Sequence, residues 1–89
     1  MADSLRLRIY TPESELFDGT VREVTAPGAY GQIGILPDHA ALVTTLEPGE
    51  LSYKQDGRVA RFNIGGGFAE VRDNVVTVLA DSGEPAGGA

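Results

Sequence analysis

The sequence predicts an all-β fold, a flattened β-sandwich or barrel of about eight to ten short, mostly antiparallel strands. Three observations carry this expectation. Short stretches alternate apolar and polar residues with period two, the mark of a strand buried on one face. Turn-forming residues punctuate the chain at short intervals, and glycine and proline supply 12 and 5 of its 89 residues. Nowhere do apolar residues recur at the i, i+3, i+4, i+7 spacing of an amphipathic helix over three turns.

Leu5, Leu7 and Ile9 alternate with Arg6, Arg8 and Tyr10, so residues 5–10 form a first strand with one apolar face. Thr11-Pro12 ends its pairing, because proline lacks an N–H and restricts the residue before it. Glu15-Leu16-Phe17 is a short extended piece, and Asp18-Gly19 after it is a turn dipeptide. Residues 20–26 resume as a strand. Its apolar positions Val21, Val24 and Ala26 change parity, which one extra residue in a β-bulge repairs. Residues 27–31 read as a loop. Residues 32–36 are the next short strand, closed by Pro37, and residues 40–46 are apolar and β-branched. Ile35, Leu36 and Leu42 are read as core positions. Glu47-Pro48-Gly49 predicts a further turn.

Two hairpins follow, and register tests both. Asp56-Gly57 suits a two-residue type I′ turn. It pairs Gln55 with Arg58 and, stepping outward, Leu51 with Phe62, placing Leu51, Tyr53, Ala60 and Phe62 on one face. Asp73-Asn74 makes the second turn, pairing Val71 with Val76 and Phe68 with Leu79. Ala69, Val71, Val76 and Val78 then share one apolar face, while Phe68 and Leu79 put apolar bulk on the other, so this hairpin is expected to be covered on both sides. The division is one domain over residues 1–81 and a flexible C-terminal tail over residues 82–89, which hold no large apolar side chain.

Composition excludes several functions. A chain of 89 residues with 42% hydrophobic content can bury one modest core. Cysteine is absent, which excludes a disulfide framework or a thiolate metal site. Thirteen acids face seven bases for a net charge of −6. Without a basic patch there is no counterion release to drive nucleic-acid binding. No apolar run is long enough to insert into a membrane, and residues 1–10 lack the apolar stretch of a signal peptide.

The candidate chemistry is thin. His39 is the single histidine, and neither a nucleophile elbow nor further imidazole or thiolate ligands accompany it. Gly65-Gly66-Gly67 resembles a phosphate cradle at first sight, but no lysine and no helix follow, and the residues read instead as a bend where backbones approach closely. The glutamates have no aromatic platform beside them that would suit a sugar. The sequence therefore assigns no catalytic, cofactor-binding or metal-ligating residue. What remains is a small β-sandwich that binds or assembles.

Two segments go further. Gly31-Gln32-Ile33-Gly34-Ile35-Leu36-Pro37-Asp38-His39 runs into Ala40-Ala41-Leu42, and Gly66-Gly67-Phe68-Ala69-Glu70-Val71 leads through Asp73-Asn74 to Val76-Thr77-Val78-Leu79-Ala80-Asp81. Together with Thr11-Pro12-Glu13 and Leu16-Phe17-Asp18-Gly19, they resemble the epsilon-subunit family of bacterial F-type ATP synthases over about residues 4–81. The resemblance implies a flattened sandwich of about ten strands. It also implies an assembly role in the central stalk, with the gamma subunit and the c-subunit ring as partners, and a place at the cytoplasmic face of the bacterial plasma membrane without insertion into it. By position it puts Thr11, His39 and Thr44 toward gamma, and Gly28, Ala29, Tyr30, Gly31 and Gln32 toward the c-ring.

The chain departs from the family pattern in ways that carry expectations. Gln32 stands where an acid is common, so an ion pair with the c-ring is missing or moved. Asp38 stands for the usual glycine, and aspartate tolerates left-handed geometry better than most residues. Ala41 stands for a common proline. After Asp81 the family continues into a helical hairpin that regulates ATP hydrolysis; here a short Gly/Pro-containing tail is expected, with no ATP site. The competing expectation is a stand-alone β-sandwich module for a small ligand or carbohydrate.

Overall fold

In the computed structural model, which describes residues 2–86, the alternation of the first segment becomes β1 (Leu5–Tyr10). Next come β2 (Glu15–Val21), β3 (Glu23–Gly28), β4 (Gly31–Ile35), β5 (Leu42–Gln55), β6 (Arg58–Arg72), β7 (Val75–Ala80) and β8 (Gly83–Pro85). They form one sheet in the order β2-β1-β7-β6-β5-β3-β4, with β8 on β6. All pairings are antiparallel except β1 with β7.

The sheet becomes a sandwich because its two longest strands bend together. β5 and β6 keep one register from Gln55↔Arg58 to Leu42↔Val71. Their outer parts nonetheless serve different halves. Residues 42–46 and 67–72 join β7, β1 and β2, whereas residues 51–55 and 62–64 join β3, β4 and β8. The halves close where Gln55 Nε2 donates to Thr20 O at 2.9 Å and Arg22 N donates to Lys54 O at 2.8 Å. Between them lies one core that includes Leu5, Leu7, Ile9, Val76 and Val78 from one half and Val24, Ile35, Leu51 and Phe62 from the other. The rings of Phe17 and Tyr53 meet across it at 4.4 Å.

The bend explains why Glu47-Pro48-Gly49 is no turn. These residues stay within β5, opposite the triple glycine, so the chain kinks instead of reversing. Pro27 and Pro48 both lie in the stretch between Thr25↔Ser52 and Gly28↔Leu46 where β3 and β5 do not pair, so neither missing N–H removes a ladder bond.

Other local signals were overridden as well. Asp18-Gly19 lies inside β2, opposite Arg8 and Leu7, because the reversal is already made by residues 11–14, where Thr11 N donates to Ser14 O at 2.8 Å. The parity change before Val24 is a corner at Arg22, not a bulge: the chain leaves β1 there and takes β5 as its new partner. A register shift does occur earlier, between Ile9↔Phe17 and Tyr10↔Glu15. The expected loop at 27–31 is a tight turn, with β3 and β4 pairing up to Gly28↔Gly31. Part of the expected tail is ordered: β8 pairs Phe62↔Pro85 to Ile64↔Gly83, and Ala86 N donates to Arg61 O at 2.9 Å. Backbone pairing needs no large side chain, which is why composition missed it. Residues 87–89 of that tail lie outside the described residues.

Candidate interaction surfaces

No polar or charged residue is buried among the described residues, and no group of three or more His, Asp or Glu lies together there. The chemistry on offer is that of the surface, and strand parity determines which side chains reach it.

In the half built on β1 and β7, alternate residues point away from the core. Register aligns them in rows. Tyr10, Leu79, Phe68 and Thr45 form one row, and Asp18, Arg8, Thr77, Glu70 and Val43 form the next. Val43, Phe68 and Leu79 are 70%, 55% and 54% exposed, and they line one depression with Glu70 and Thr77. Three large apolar side chains held together on the outside of a sheet make this face a candidate contact surface. Phe68 and Leu79 were legible as outward apolar bulk, but among the described residues nothing covers them. Val43 was missed, because in the run 40–46 apolar residues occupy both parities and only its pairing with Glu70 shows which way it faces.

A charged border adjoins this surface. Arg6 grips Asp18 through Nε and Nη2 at 2.8 and 2.9 Å, and this holds the Asp18 carboxyl below the usual carboxylate range. Arg8 lies 4.0 Å from Asp18 and places its guanidinium 5.4 Å from the centre of the Tyr10 ring, within cation–π range.

Thr11, His39 and Thr44 do not form one patch. Thr11 closes the β1–β2 connection, its Oγ1 accepting from Ser14 N at 3.2 Å. Thr44 pairs with Ala69 at the free side of β5. β7 and β6 lie between the β1 end and β5, so three strand spacings separate Thr11 from Thr44, about 14 Å. His39 lies in the β4–β5 corner, half-buried, with Nδ1 2.7 Å from Ala40 O. A carbonyl only accepts, so Nδ1 is the donor in this bond. Leu36, expected in the core, is 57% exposed, because β4 ends at Ile35 and the chain turns at Pro37. Ile35 is fully buried, and Leu42 is half-buried against the core.

Asp38 in the same corner accepts hydrogen bonds from Asn74 Nδ2 at 3.2 Å and Ala2 N at 3.1 Å. The Asn74 bond and then the Ala2 bond lower its pKa. Because the folded value is depressed, the stabilisation is present above the ordinary carboxylate pKa and is lost as pH falls through the lowered one. An NMR titration of the Asp38 carboxyl carbon should accordingly show a midpoint below the usual carboxylate range. A midpoint at or above that range would mean that these bonds do not persist in solution.

Gly28, Ala29, Tyr30, Gly31 and Gln32 do form one unit, the turn joining β3 and β4. Ala29 N donates to Thr45 O at 3.1 Å and ties this turn to β5. Tyr30 is fully exposed at the tip, and Gly31 has φ of 127°. No charged residue occurs from Pro27 to Pro37, so this projection presents an aromatic ring and backbone groups.

A bent-sheet sandwich with a projecting neutral turn and an uncovered apolar face is the build of a small docking domain. The chain belongs to the family of the ATP synthase delta/epsilon chain, beta-sandwich domain, whose model matches residues 4–86. It is 44% identical over 85 residues to the ATP synthase epsilon chain of Desulfitobacterium hafniense, covering 96% of this chain and 64% of that one. It is 50% identical over 84 residues to the epsilon chain of an Anaeromyxobacter species, covering 94% and 64%. The chain thus spans slightly less than two thirds of these curated relatives. Among solved structures, a chain of the Euglena gracilis mitochondrial ATP synthase, in an assembly of OSCP, F1 and c-ring, superposes with a TM-score of 0.90 at 26% identity. That match covers 96% of this chain and 55% of the other.

Proposed function

We propose that the chain is a non-catalytic central-stalk subunit of an F-type ATP synthase, linking the gamma subunit to the c-ring and helping to couple ion translocation to ATP synthesis. Family membership supports the assembly, and the Euglena match is described with a c-ring. The observation that carries the docking role is the uncovered apolar patch of Val43, Phe68 and Leu79, which spans two adjoining rows. In this reading the gamma subunit covers that face, meets Thr11 at its β1 end, and wraps the free edge of β5 to reach His39 and Thr44, whose register with Ala69 turns it away from the face itself. The turn of residues 28–32 meets the c-ring. With Gln32 in place of an acid, that second contact works through the Tyr30 ring and backbone hydrogen bonds, not through an ion pair.

The domain acts at the cytoplasmic face of the bacterial plasma membrane, held there by its partners; among the described residues no helix is long and apolar enough to cross a membrane. No observation favours the stand-alone carbohydrate or ligand module. The test is to mix the chain with the gamma subunit at micromolar concentration. Co-elution as one complex is the expected result, and separate elution of both proteins would count against the role.

A further inference from the structure

The β4–β5 corner and the β6–β7 turn lie 36 residues apart in sequence and are joined by one side-chain amide. Each brings a strained residue. His39 N donates to Leu36 O at 3.2 Å, closing a turn with Pro37 second and Asp38 third. Asp38 has φ of 65°, the left-handed value that a type II turn demands at its third residue. Asp73 and Asn74 have φ of 50° and 62°, as a type I′ hairpin turn requires. Asn74 Oδ1 then accepts from Asp38 N at 2.6 Å, while Asn74 Nδ2 donates to Asp38 Oδ1 at 3.2 Å. A carboxamide on a short stem answers a backbone donor and a carboxylate acceptor at once. Removing it leaves Asp38 in a left-handed conformation with two of its restraints gone.

We propose that Asn74 is the positioning residue of the His39 corner. Its amide clasps Asp38 and so sets the geometry in which the next residue, His39, meets the gamma subunit. The ring of His39, with Nδ1–H given to Ala40 O, then leaves Nε2 for a hydrogen bond with the partner. The proposal rests on the docking role proposed above, and it makes a turn on one hairpin the support for a contact made by another segment.

Asn74→Gly isolates the clasp, because Asp-Gly is a favoured type I′ dipeptide and the hairpin keeps its turn. In Asn74→Asp two carboxylates face one another. Combined with Asp38→Asn, the donor and acceptor exchange places and the pairing returns. Three measurements apply to each variant: affinity for the gamma subunit, hydrogen exchange at the Asp38 and His39 amides, and exchange in the β6–β7 ladder. Asn74→Gly and Asn74→Asp are each expected to weaken gamma binding roughly tenfold. They should also speed exchange at the two corner amides by about tenfold or more, with the ladder still protected. The exchanged pair should restore affinity and protection together.

Wild-type affinity in Asn74→Gly overturns the proposal. So does an exchanged pair that recovers protection without affinity. A wild-type chain that fails to bind gamma defeats the docking role itself, and that control separates the two failures.

Discussion

Gly67→Ala is expected to cost about 4 kcal/mol of stability, near the top of the range for a single substitution. A Cβ on Gly67 would overlap Leu79 O and stand 2.9 Å from Ala80 Cα. Both contacts are with backbone, and that backbone is fixed by pairing on two sides, to β6 and to β1. No side chain can swing aside to make room. Gly67 also has φ of 142°, a conformation that L side chains rarely adopt, so the local strain adds to the clash. For a domain of this size such a loss lowers the melting temperature by about 20 °C. Gly34→Ala is the control, since an added Cβ there meets nothing within 4 Å. Chemical denaturation of both variants decides the matter: a loss below about 1 kcal/mol for Gly67→Ala would mean that β6 and β7 can part at this point at little cost.

The largest functional effect is expected at Phe68. Phe68→Glu places a charge at the centre of the uncovered face, between Leu79 and Thr45 in register. Because Phe68 is 55% exposed, the isolated domain should melt within a few degrees of wild type. Binding to gamma should fall about thirtyfold, corresponding to the roughly 2 kcal/mol that a central aromatic anchor contributes to an interface. Isothermal calorimetry gives the affinity and calorimetric melting gives the fold. Unchanged affinity would remove this face from the gamma interface. A large drop in melting temperature would mean instead that Phe68 serves the fold of the monomer.

Features whose information lies in neighbouring residues are legible in the sequence alone. The Asp56-Gly57 and Asp73-Asn74 turns set two hairpins, and counting outward from each gives the observed pairs, down to Leu51↔Phe62 and Phe68↔Leu79. Parity then sorts Ala69, Val71, Val76 and Val78 inward. The same count puts Phe68 and Leu79 on the far side, so part of the candidate surface is in view as well. Asp18-Gly19 and Pro48-Gly49 carry equally strong turn signals, yet both lie within strands. A turn dipeptide states what the backbone tolerates. Whether the chain reverses depends on which strand lies opposite, and that is decided by contacts distant in sequence.

By itself, then, the sequence determined the all-β class, the two tight hairpins, the inward and outward sets of β1, β6 and β7, and the family resemblance. These depend on φ preferences and on a side-chain period of two, which act over a few residues. Tertiary structure alone decided that β5 and β6 bend together through the triple glycine, that residues 83–85 pair with β6, and that Val43 joins Phe68 and Leu79. It also decided that Asn74 reaches the His39 corner. Each of these needs two segments distant in sequence to meet. Their pairing energy exists only once the common core has drawn the two halves of the sheet over one another.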